Sequence, residues 1–426
     1  MAQSNFYIKD NSYSYAMPFK MVNNLMIIPV YVNGKKLSFL LDTGVSSTII
    51  LNVKIKDSLK LKNIEKIKIQ GLGDGDFVDA IKSTNNFIQV GDNILNRNHK
   101  IFLILGKGFN LSNRMGEEIH GIIGGDLFKD FIVKINYTSK RITFYNPKVY
   151  KYKKCRKCET LPLSFLYQKP YLFANTIMPD SSNIKTKLLI DSGGSDALWL
   201  FENKDKNVKA PQKYFLDYLG QGLNGNIYGK RSRVSSLNLG KFHLKDITVA
   251  FPDTTSLSTS MLHHSRHGTI GAETLKRFHL IIDYPNKKIT FKKNSKYFNE
   301  AFNYNMSGIE IAYSGQMLVK EQKLHNYSNN NNSKTYNGVT IEYEYNYVFS
   351  FKPSVQITNI RKDSPADLAG IKVGDFIMEL NGKPVYTYSL QEMVHLFYEK
   401  EGKEIKLLVE RNFTRYHFNF KLKKIF

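Results

Sequence analysis

The stretch Phe39-Leu40-Leu41-Asp42-Thr43-Gly44 ends an apolar run on a carboxylate, and Leu188-Leu189-Ile190-Asp191-Ser192-Gly193 repeats this pattern later in the chain. A carboxylate beside an apolar run is costly unless it is hydrogen-bonded or paired. Two such residues, Asp42 and Asp191, one in each copy of a repeat, predict a shared site. The pattern therefore indicates acid–base chemistry by a pair of carboxylates.

The repeat extends beyond these two phrases. His120-Gly121-Ile122-Ile123-Gly124 returns as His267-Gly268-Thr269-Ile270-Gly271, and the residues that follow continue in register. Between the aspartate and this motif, each copy has a glycine-rich turn, at 71–76 and at 220–225. Such glycines favour tight hairpin turns. Short apolar runs separated by frequent turns predict an all-β unit in each half. The two repeated histidines are interpreted as structural hydrogen-bonding groups.

Composition predicts a folded, strand-rich protein. The chain has 426 residues, of which 42% are hydrophobic and 13% aromatic. Tyr and Phe dominate the aromatic residues, and both favour strands. The formal net charge of +24 is compatible with an acidic partner such as nucleic acid or an anionic membrane. Because the lysines are scattered through every segment, we interpret the charge as a solvated surface and expect no specific nucleic-acid partner.

Cysteine content and hydropathy exclude several classes of site. The only cysteines are Cys155 and Cys158, whereas a zinc site needs about four ligands. We interpret them as incidental thiols or a small local disulfide, and expect neither metal nor cofactor. No run approaches the roughly 20 apolar residues of a membrane span. The first residues lack the pattern of a signal peptide, which leaves a cytoplasmic protein or an exported one written without its signal.

Composition shifts predict the domain boundaries. Polar and charged linkers separate two repeated lobes from an unrelated tail, in which an Asn-rich segment near 325–335 is predicted to be a loose insertion. The predicted segments are an N-terminal extension at 1–24, a first lobe at 25–147, a linker at 148–159, a second lobe at 160–294, a linker at 295–304 and a tail domain at 305–426.

The residues that follow each aspartate suit a carboxylate pair. Gly44 and Gly193 let backbone N–H groups approach the carboxylates, and the hydroxyls of Thr43 and Ser192 can lock one loop against the other. Two carboxylates in contact cannot both ionise readily, so they share one proton. The charged member then activates a water and the neutral one polarises a carbonyl. This chemistry predicts acyl-group hydrolysis, most plausibly of peptide bonds.

These motifs carry a family resemblance. Asp42-Thr43-Gly44 and Asp191-Ser192-Gly193, each followed by an Ile-Gly motif, resemble the aspartic proteases of the pepsin and retropepsin type over residues 25–294. The tail is similar to a PDZ domain through Ser364-Pro365-Ala366 and the stretch from Ala369 to Gly382. Together they resemble bacterial retropepsin-like proteases with a C-terminal PDZ domain. The resemblance implies a mainly β fold: a two-lobed double β-barrel in one chain, followed by an α+β PDZ domain.

The resemblance also implies a flap over the substrate. Residues 69–79 match the flap best, and the hairpin at 219–229 is its counterpart. Flaps of the pepsin type carry a Tyr that this segment lacks; Phe77 is the aromatic residue there. The predicted flap residues are Gly71, Leu72, Gly73, Asp74, Gly75 and Phe77.

A second departure concerns the position after each motif glycine. The family often places Ser, Thr or Ala there, but this chain has Val45 and Gly194. Neither offers a hydroxyl to the carboxylate, and a missing donor disfavours the ionised form. We therefore predict raised pKa values for the pair and an activity optimum less acidic than that of enzymes with Ser or Thr at this position.

PDZ domains of this type bind a peptide C-terminus or an internal segment by strand addition beside a Gly-φ-x-φ loop. Two stretches fit, Gly308-Ile309-Glu310-Ile311 and Gly338-Val339-Thr340-Ile341, and we prefer the first. Met393, Val394 and Phe397 are interpreted mainly as core residues of a helix opened by a capping box at Ser389.

The sequence thus predicts an aspartic endopeptidase that uses Asp42 and Asp191, supported by Thr43, Gly44, Ser192 and Gly193. The PDZ domain would recruit or position a polypeptide substrate, and a monomer is expected. The resembling proteins are mostly exported, which favours the periplasm or cell envelope. The alternatives are a catalytically inactive scaffold of the same fold that holds peptides, and a basic nucleic-acid- or envelope-binding protein.

Overall fold

The computed structural model describes residues 5–51, 59–71, 77–106, 111–257, 266–325, 334–336, 339–341 and 344–426. The chain forms two compact units. The first is Met1–Met306 together with Lys423–Phe426, and the second is Ser307–Leu422. Strands dominate both, so the prediction of a mainly β fold is confirmed.

The first half of the larger unit contains twelve strands among its described residues. They are β1 (Tyr7–Ile8), β2 (Ser14–Pro18), β3 (Lys20–Val22), β4 (Leu25–Val32), β5 (Lys35–Leu41), β6 (Thr48–Ile50), β7 (Ile64–Ile69), β8 (Val78–Val90), β9 (Ile94–Ile104), β10 (Gly121–Ile123), β11 (Ile132–Asn136) and β12 (Arg141–Tyr145). The helices described here are a 3-10 turn at Lys9–Asn11, α1 (Leu111–Met115) and α2 (Gly125–Phe128).

The second half repeats most of this order. Its strands are β13 (Cys158–Pro162), β14 (Ser164–Leu166), β15 (Lys169–Ile177), β16 (Asn183–Ile190), β17 (Leu198–Leu200), β18 (Phe215–Gly222), β19 (Gly225–Leu239), β20 (Phe242–Pro252), β21 (Gly268–Ile270), β22 (Phe278–Asp283) and β23 (Lys288–Lys293). A 3-10 turn at Thr254–Ser256 and α3 (Ala272–Leu275) accompany them.

Local sequence explains the hairpin that leads to each aspartate. β4 and β5 join at Asn33-Gly34, whose φ angles of 48° and 90° are those of a tight hairpin turn that Asn-Gly favours. Both strands bury apolar side chains, and Val30, Leu37 and Phe39 are almost fully inaccessible. β15 and β16 form the equivalent hairpin, with Leu172 opposite Leu188 where the first half has Ile28 opposite Phe39.

One parallel pairing in each half positions the aspartate. β10 pairs in parallel with β5, which sets Ile123 opposite Leu41, and β21 pairs in parallel with β16, which sets Ile270 opposite Ile190. The backbone N–H of Asp42 then donates to the carbonyl of Ile123, 2.9 Å away. The corresponding N–H of Asp191 donates to Ile270 at 3.0 Å. The repeated Ile-Gly motif therefore holds the start of each aspartate loop.

The two halves share a six-stranded sheet of order β13-β23-β22-β11-β12-β2. Its central pair, β11 and β22, is antiparallel, with Ile132 opposite Asp283 and Ile135 opposite Leu280. The closing hairpins of both halves thus form one hydrogen-bonded layer. A continuous apolar core, which includes Phe131, Phe144, Phe278 and Phe291, packs through both halves.

Segments outside the predicted lobes take part in this unit. Within residues 5–24, β1 pairs with β9, β2 with β12 and β3 with β4. Cys155 and Cys158 form a local disulfide within the segment that connects the two halves. Tyr297 and Phe302, which follow the last strand, are buried in the core.

The smaller unit is an antiparallel sheet with two short helices. Its elements are β24 (Ile309–His325), β25 (Lys334–Tyr336), β26 (Val339–Ile341), β27 (Glu344–Ile360), α4 (Pro365–Leu368), β28 (Phe376–Leu380), β29 (Lys383–Pro384), a 3-10 turn at Val385–Thr387, α5 (Leu390–Phe397), β30 (Glu404–Arg411) and β31 (Thr414–Lys421). The main sheet has the order β24-β27-β28-β30-β31, with β29 beside β28. Ser389 and Glu392 form the predicted capping box at the start of α5.

Within the described part of the chain, every helix is too short or too polar to cross a lipid bilayer.

Candidate active site

Asp42 and Asp191 each follow the last residue of a buried strand, β5 and β16. The Asp42 side chain is 8% exposed, whereas Asp191 is half-buried. Both lie on loops that turn at once towards the other half of the unit. The chain therefore brings two acidic groups from distant positions to one place.

Reciprocal hydrogen bonds hold the two loops together. The hydroxyl of Thr43 donates to the carbonyl of Ile190 at 2.7 Å and accepts from the N–H of Ser192 at 3.0 Å. The hydroxyl of Ser192 donates to the carbonyl of Leu41 at 2.8 Å and accepts from the N–H of Thr43 at 3.1 Å. All of these groups are buried, so each bond is worth more than a solvated one. This four-bond lock matches the role expected for the Thr and Ser hydroxyls.

Each carboxylate accepts a backbone N–H from its own loop. Gly44 donates to Oδ1 of Asp42 at 2.6 Å. Gly193 and Gly194 both donate to Oδ1 of Asp191, at 2.9 Å each. Among these bonds, Asp191 accepts two backbone N–H groups where Asp42 accepts one, so the two carboxylates have different surroundings.

Each carboxylate also packs against the partner loop's glycine. A β-carbon at Gly193 would overlap Cγ of Asp42, and one at Gly44 would lie 2.8 Å from Cγ of Asp191. Neither position leaves room for a side chain. The two glycines therefore allow each carboxyl group to pack directly against the opposite loop.

Burial raises the pKa of Asp42 well above its ordinary value of 3.8, and the neighbouring charge of Asp191 raises it further. The N–H of Gly44 and the positive charge of Lys169 act in the opposite direction. The balance favours a protonated Asp42. Sequence alone could not distinguish the two aspartates, because the difference arises from burial.

Further contacts between the halves are also reciprocal. The side-chain amide of Asn24, in the turn before β4, donates to the carbonyl of Ser195 at 3.2 Å and to Glu273 at 2.8 Å. In the other direction, the hydroxyl of Ser46 donates to the carbonyl of Tyr167 in the turn before β15. Asn24 and Ser46 lie outside the predicted site, since only the folded chain brings these turns to the opposite loops.

The repeated histidines play equivalent structural parts. Nδ1 of His120 accepts the N–H of Ser38 at 3.2 Å, and Nδ1 of His267 accepts the N–H of Lys187 at 3.1 Å. Each histidine therefore joins the strand of the Ile-Gly motif to the strand that leads to the aspartate. These contacts agree with the interpretation of both as structural hydrogen-bonding groups.

The predicted flap is described only at its two ends. Leu72, Gly73, Asp74 and Gly75 lie outside the described residues. The N–H of Gly71 donates to the side chain of Asn224, and Phe77 is 60% exposed.

The counterpart hairpin, β18–β19, is fully described and turns at Leu223 and Asn224. Leu223 packs against an apolar cluster of the first half, and Oε1 of Gln221 accepts from Nε of Arg114 in α1 at 3.1 Å. The hairpin of the second half therefore reaches across to the first half.

The predicted peptide loop of the smaller unit begins at Gly308, whose φ of 82° favours glycine. Ile309, Glu310 and Ile311 start β24, which is the end strand of its sheet and packs against α5. In the alternative stretch, Gly338 lies outside the described residues, and 339–341 belong to a separate two-stranded sheet.

Among the described residues, no cluster of three or more His, Cys, Asp or Glu side chains is arranged to hold a metal ion.

Comparison with known proteins identifies both kinds of domain. Residues 28–127 match the aspartyl protease family model, and residues 356–411 match a PDZ domain model. The chain thus carries an aspartyl protease domain and a PDZ domain, and the predicted resemblance is confirmed.

Individual relatives are more distant. A stretch of 71 residues is 37% identical to a probable CtpA-like serine protease of Staphylococcus haemolyticus (strain JCSC1435). This stretch is 17% of this chain and 14% of that protein's length. Among solved structures, the aspartic proteinase from Irpex lacteus has 14% sequence identity and a TM-score of 0.42, over 68% of this chain and 100% of its own.

The four-bond lock predicts a stability effect. Ser192→Ala removes two hydrogen bonds and leaves the N–H of Thr43 and the carbonyl of Leu41 buried without a partner. Each such group costs about 1–3 kcal/mol, so we expect the free energy of unfolding in urea to fall by that order. Ser195→Ala, at an exposed position of the same loop, is the control and should change it little. Equal stability of both variants would contradict the lock.

The glycine contacts predict a steric difference between neighbouring positions. Gly193→Ala forces a methyl group into the carboxyl of Asp42, so we expect lower thermal stability and a displaced pair. Gly194→Ala places its methyl at 3.4 Å or more from Asp191, which is ordinary contact, and should fold normally. Thermal unfolding of both variants tests this, and a Gly193→Ala protein as stable as Gly194→Ala would refute the contact.

Proposed function

We propose that this chain is an aspartic endopeptidase in which Asp42 and Asp191 form the catalytic pair. The observation that carries the proposal is that each carboxyl group packs against the glycine of the opposite loop, on two loops locked by reciprocal buried hydrogen bonds. Such a pair shares one proton, because two ionised carboxylates in contact repel each other. The aspartyl protease match over residues 28–127 supports this assignment.

Because burial raises the pKa of Asp42, we assign the shared proton to that residue. Asp191, whose carboxylate accepts two backbone N–H groups, is then the ionised member. Asp191 takes a proton from a water held between the carboxylates as that water attacks the peptide carbonyl. Asp42 donates its hydrogen bond to the carbonyl oxygen, where negative charge develops. Asp191 then passes the proton it took from water to the amide nitrogen, the C–N bond of the tetrahedral intermediate breaks to release the amine and the acid, and the pair again holds one proton.

The smaller unit would position the polypeptide substrate. A peptide can add as a strand beside β24, starting at Gly308-Ile309-Glu310-Ile311, with α5 along the groove. The end position of β24 in its sheet and the PDZ match over residues 356–411 support this role. Titration of C-terminal and internal peptides into the protein tests it, and a lack of saturable binding would contradict it.

We also propose that the protein acts in the periplasm or cell envelope. The disulfide between Cys155 and Cys158 supports this location, because disulfides persist in oxidising compartments. Fractionation of cells that express the protein tests the location, and recovery only in the cytoplasm would refute it.

Single substitutions in the pair test the enzyme. Asp42→Asn removes the group that holds the shared proton, and Asp191→Asn removes the base; each is expected to lower kcat/KM on an unfolded protein substrate at least about 10³-fold. Asp205→Asn, at an exposed position, is the control and should retain activity. If the native protein binds such substrates but cleaves none between pH 3 and pH 8, it is the peptide-binding scaffold instead.

The raised pKa of Asp42 predicts the pH dependence. The singly protonated pair persists above the pH at which an ordinary aspartic acid ionises, so activity is expected to extend well above pH 4 and to fall only as Asp42 ionises. A profile of kcat/KM against pH that peaks only in strong acid would contradict this.

The raised pKa of Asp42 also makes the stability of the fold depend on pH. A carboxyl whose folded pKa is raised stabilises the fold below its unfolded pKa, and this contribution is lost as the pH rises through the folded pKa. The amide that replaces the carboxyl in Asp42→Asn does not titrate, so the free energy of unfolding of that variant should depend less on pH. Urea unfolding at a series of pH values measures the difference between the two proteins.

A further inference from the structure

The two sides of the carboxylate pair differ in charge, although the halves are related by a repeat. Leu25 and Lys169 occupy equivalent positions, since each begins the strand that pairs with the aspartate strand, directly after a turn of two residues with positive φ. Ile27 and Tyr171 are equivalent two positions later. The difference therefore arises at matched sites in one architecture.

The Ile-Gly motif gives a third pair of equivalent positions in the two halves. Ile119 precedes His120 in the first half, and Arg266 precedes His267 in the second. In the first half, Leu25, Ile27 and Ile119 are all buried in one apolar cluster. In the second half, all three positions carry polar or cationic side chains, which apolar packing does not require.

The three polar residues of the second half, Lys169, Tyr171 and Arg266, are partly or fully buried in the fold. Arg266 is 7% exposed, its Nε donates to the carbonyl of Gly268 at 3.0 Å, and its guanidinium lies 4.9 Å from the ring centre of Phe201. Tyr171 is 5% exposed and lies opposite Leu189, two residues before Asp191. Lys169 is half-buried at the start of its strand and is the most accessible of the three residues.

Strand pairing places this set near the reacting groups, because Tyr171 lies opposite Leu189 and Gly268, two residues after Arg266, lies opposite Leu188. Lys169 interacts with both aspartates and with Arg266, and Arg266 interacts with Tyr171 and Asp191. Two cations thus face a carboxylate pair that carries one negative charge when it shares a proton. The excess positive charge on the Asp191 side has no counterpart at the matched positions Leu25, Ile27 and Ile119.

We propose that Lys169, Tyr171 and Arg266 form a subsite that selects an acidic side chain of the substrate, whereas the apolar cluster on the other side accepts an apolar one. This inference rests on the proposed peptidase function. A Glu or Asp side chain would pair with the ammonium group of Lys169, the buried guanidinium of Arg266 would add positive charge behind it, and Tyr171 would supply a neutral hydroxyl. Charge-assisted hydrogen bonds of this kind are the strong ones in a partly buried site.

The test uses quenched fluorescent peptides in which Glu replaces Gln at each position around the cleaved bond. For the native protein we expect one position at which Glu raises kcat/KM about tenfold over Gln, the effect of one hydrogen bond to a charged group. Lys169→Leu, which copies Leu25, and Lys169→Gln should reduce the Glu-to-Gln ratio to about one, and Lys169→Arg should preserve it. Lys185→Leu, at an exposed position of β16, is the control and should keep the native ratio.

Binding separates this inference from the catalytic proposal. With Asp42→Asn, fluorescence anisotropy should show the same preference for the Glu peptide, and the added Lys169→Leu change should remove it. A native protein that cleaves no peptide but binds Glu peptides preferentially would refute the peptidase and support the subsite. Cleavage without a Glu preference, or a preference that persists in both Lys169→Leu and Lys169→Gln, would overturn the subsite.

Discussion

The site depends on the exchange of hydrogen bonds between the loops of Thr43 and Ser192. Each hydroxyl satisfies a carbonyl and an N–H of the opposite loop, so neither loop could keep its buried backbone groups paired alone. This mutual requirement fixes the distance between the loops and holds the carboxylates in contact. The glycines beside them, the Ile-Gly motifs and the shared sheet all serve to present these two loops to each other.

Much of this arrangement is predictable from sequence because it repeats. The aspartate phrases, the Ile-Gly motifs and the hairpins recur in order, and each element carries a local reason for its conformation, such as the Asn33-Gly34 turn. Hydroxyls next to both aspartates predict a lock between them, and the folded chain has one. The PDZ domain is predictable for a similar reason, since its turns and the capping box at Ser389 are local features.

Other features depend on tertiary structure and leave little local signal. Tyr167 and Gln168 adopt positive φ without the Gly or Asn that would reveal a turn, so the position of Lys169 beside the aspartates is hidden in the sequence. Arg266 reaches the same place only through the parallel pairing of β16 with β21. The unequal burial of Asp42 and Asp191 likewise depends on the packing around the finished loops. Sequence therefore predicts the pair itself better than the charge around it.

The six-stranded sheet shared by the two halves limits how the cleft can open. Its central strands, β11 and β22, come from different halves and are joined by a backbone ladder whose apolar side chains belong to the common core. A hinge between the halves would break this ladder, so separation of the halves would cost its hydrogen bonds. The described contacts of the β18–β19 hairpin with the first half include those of Gln221 with Arg114 and of Leu223 with the apolar cluster, which cost less to break than a strand ladder. If the pair is catalytic, an extended substrate would enter at a lower cost by displacement of this hairpin than by separation of the halves.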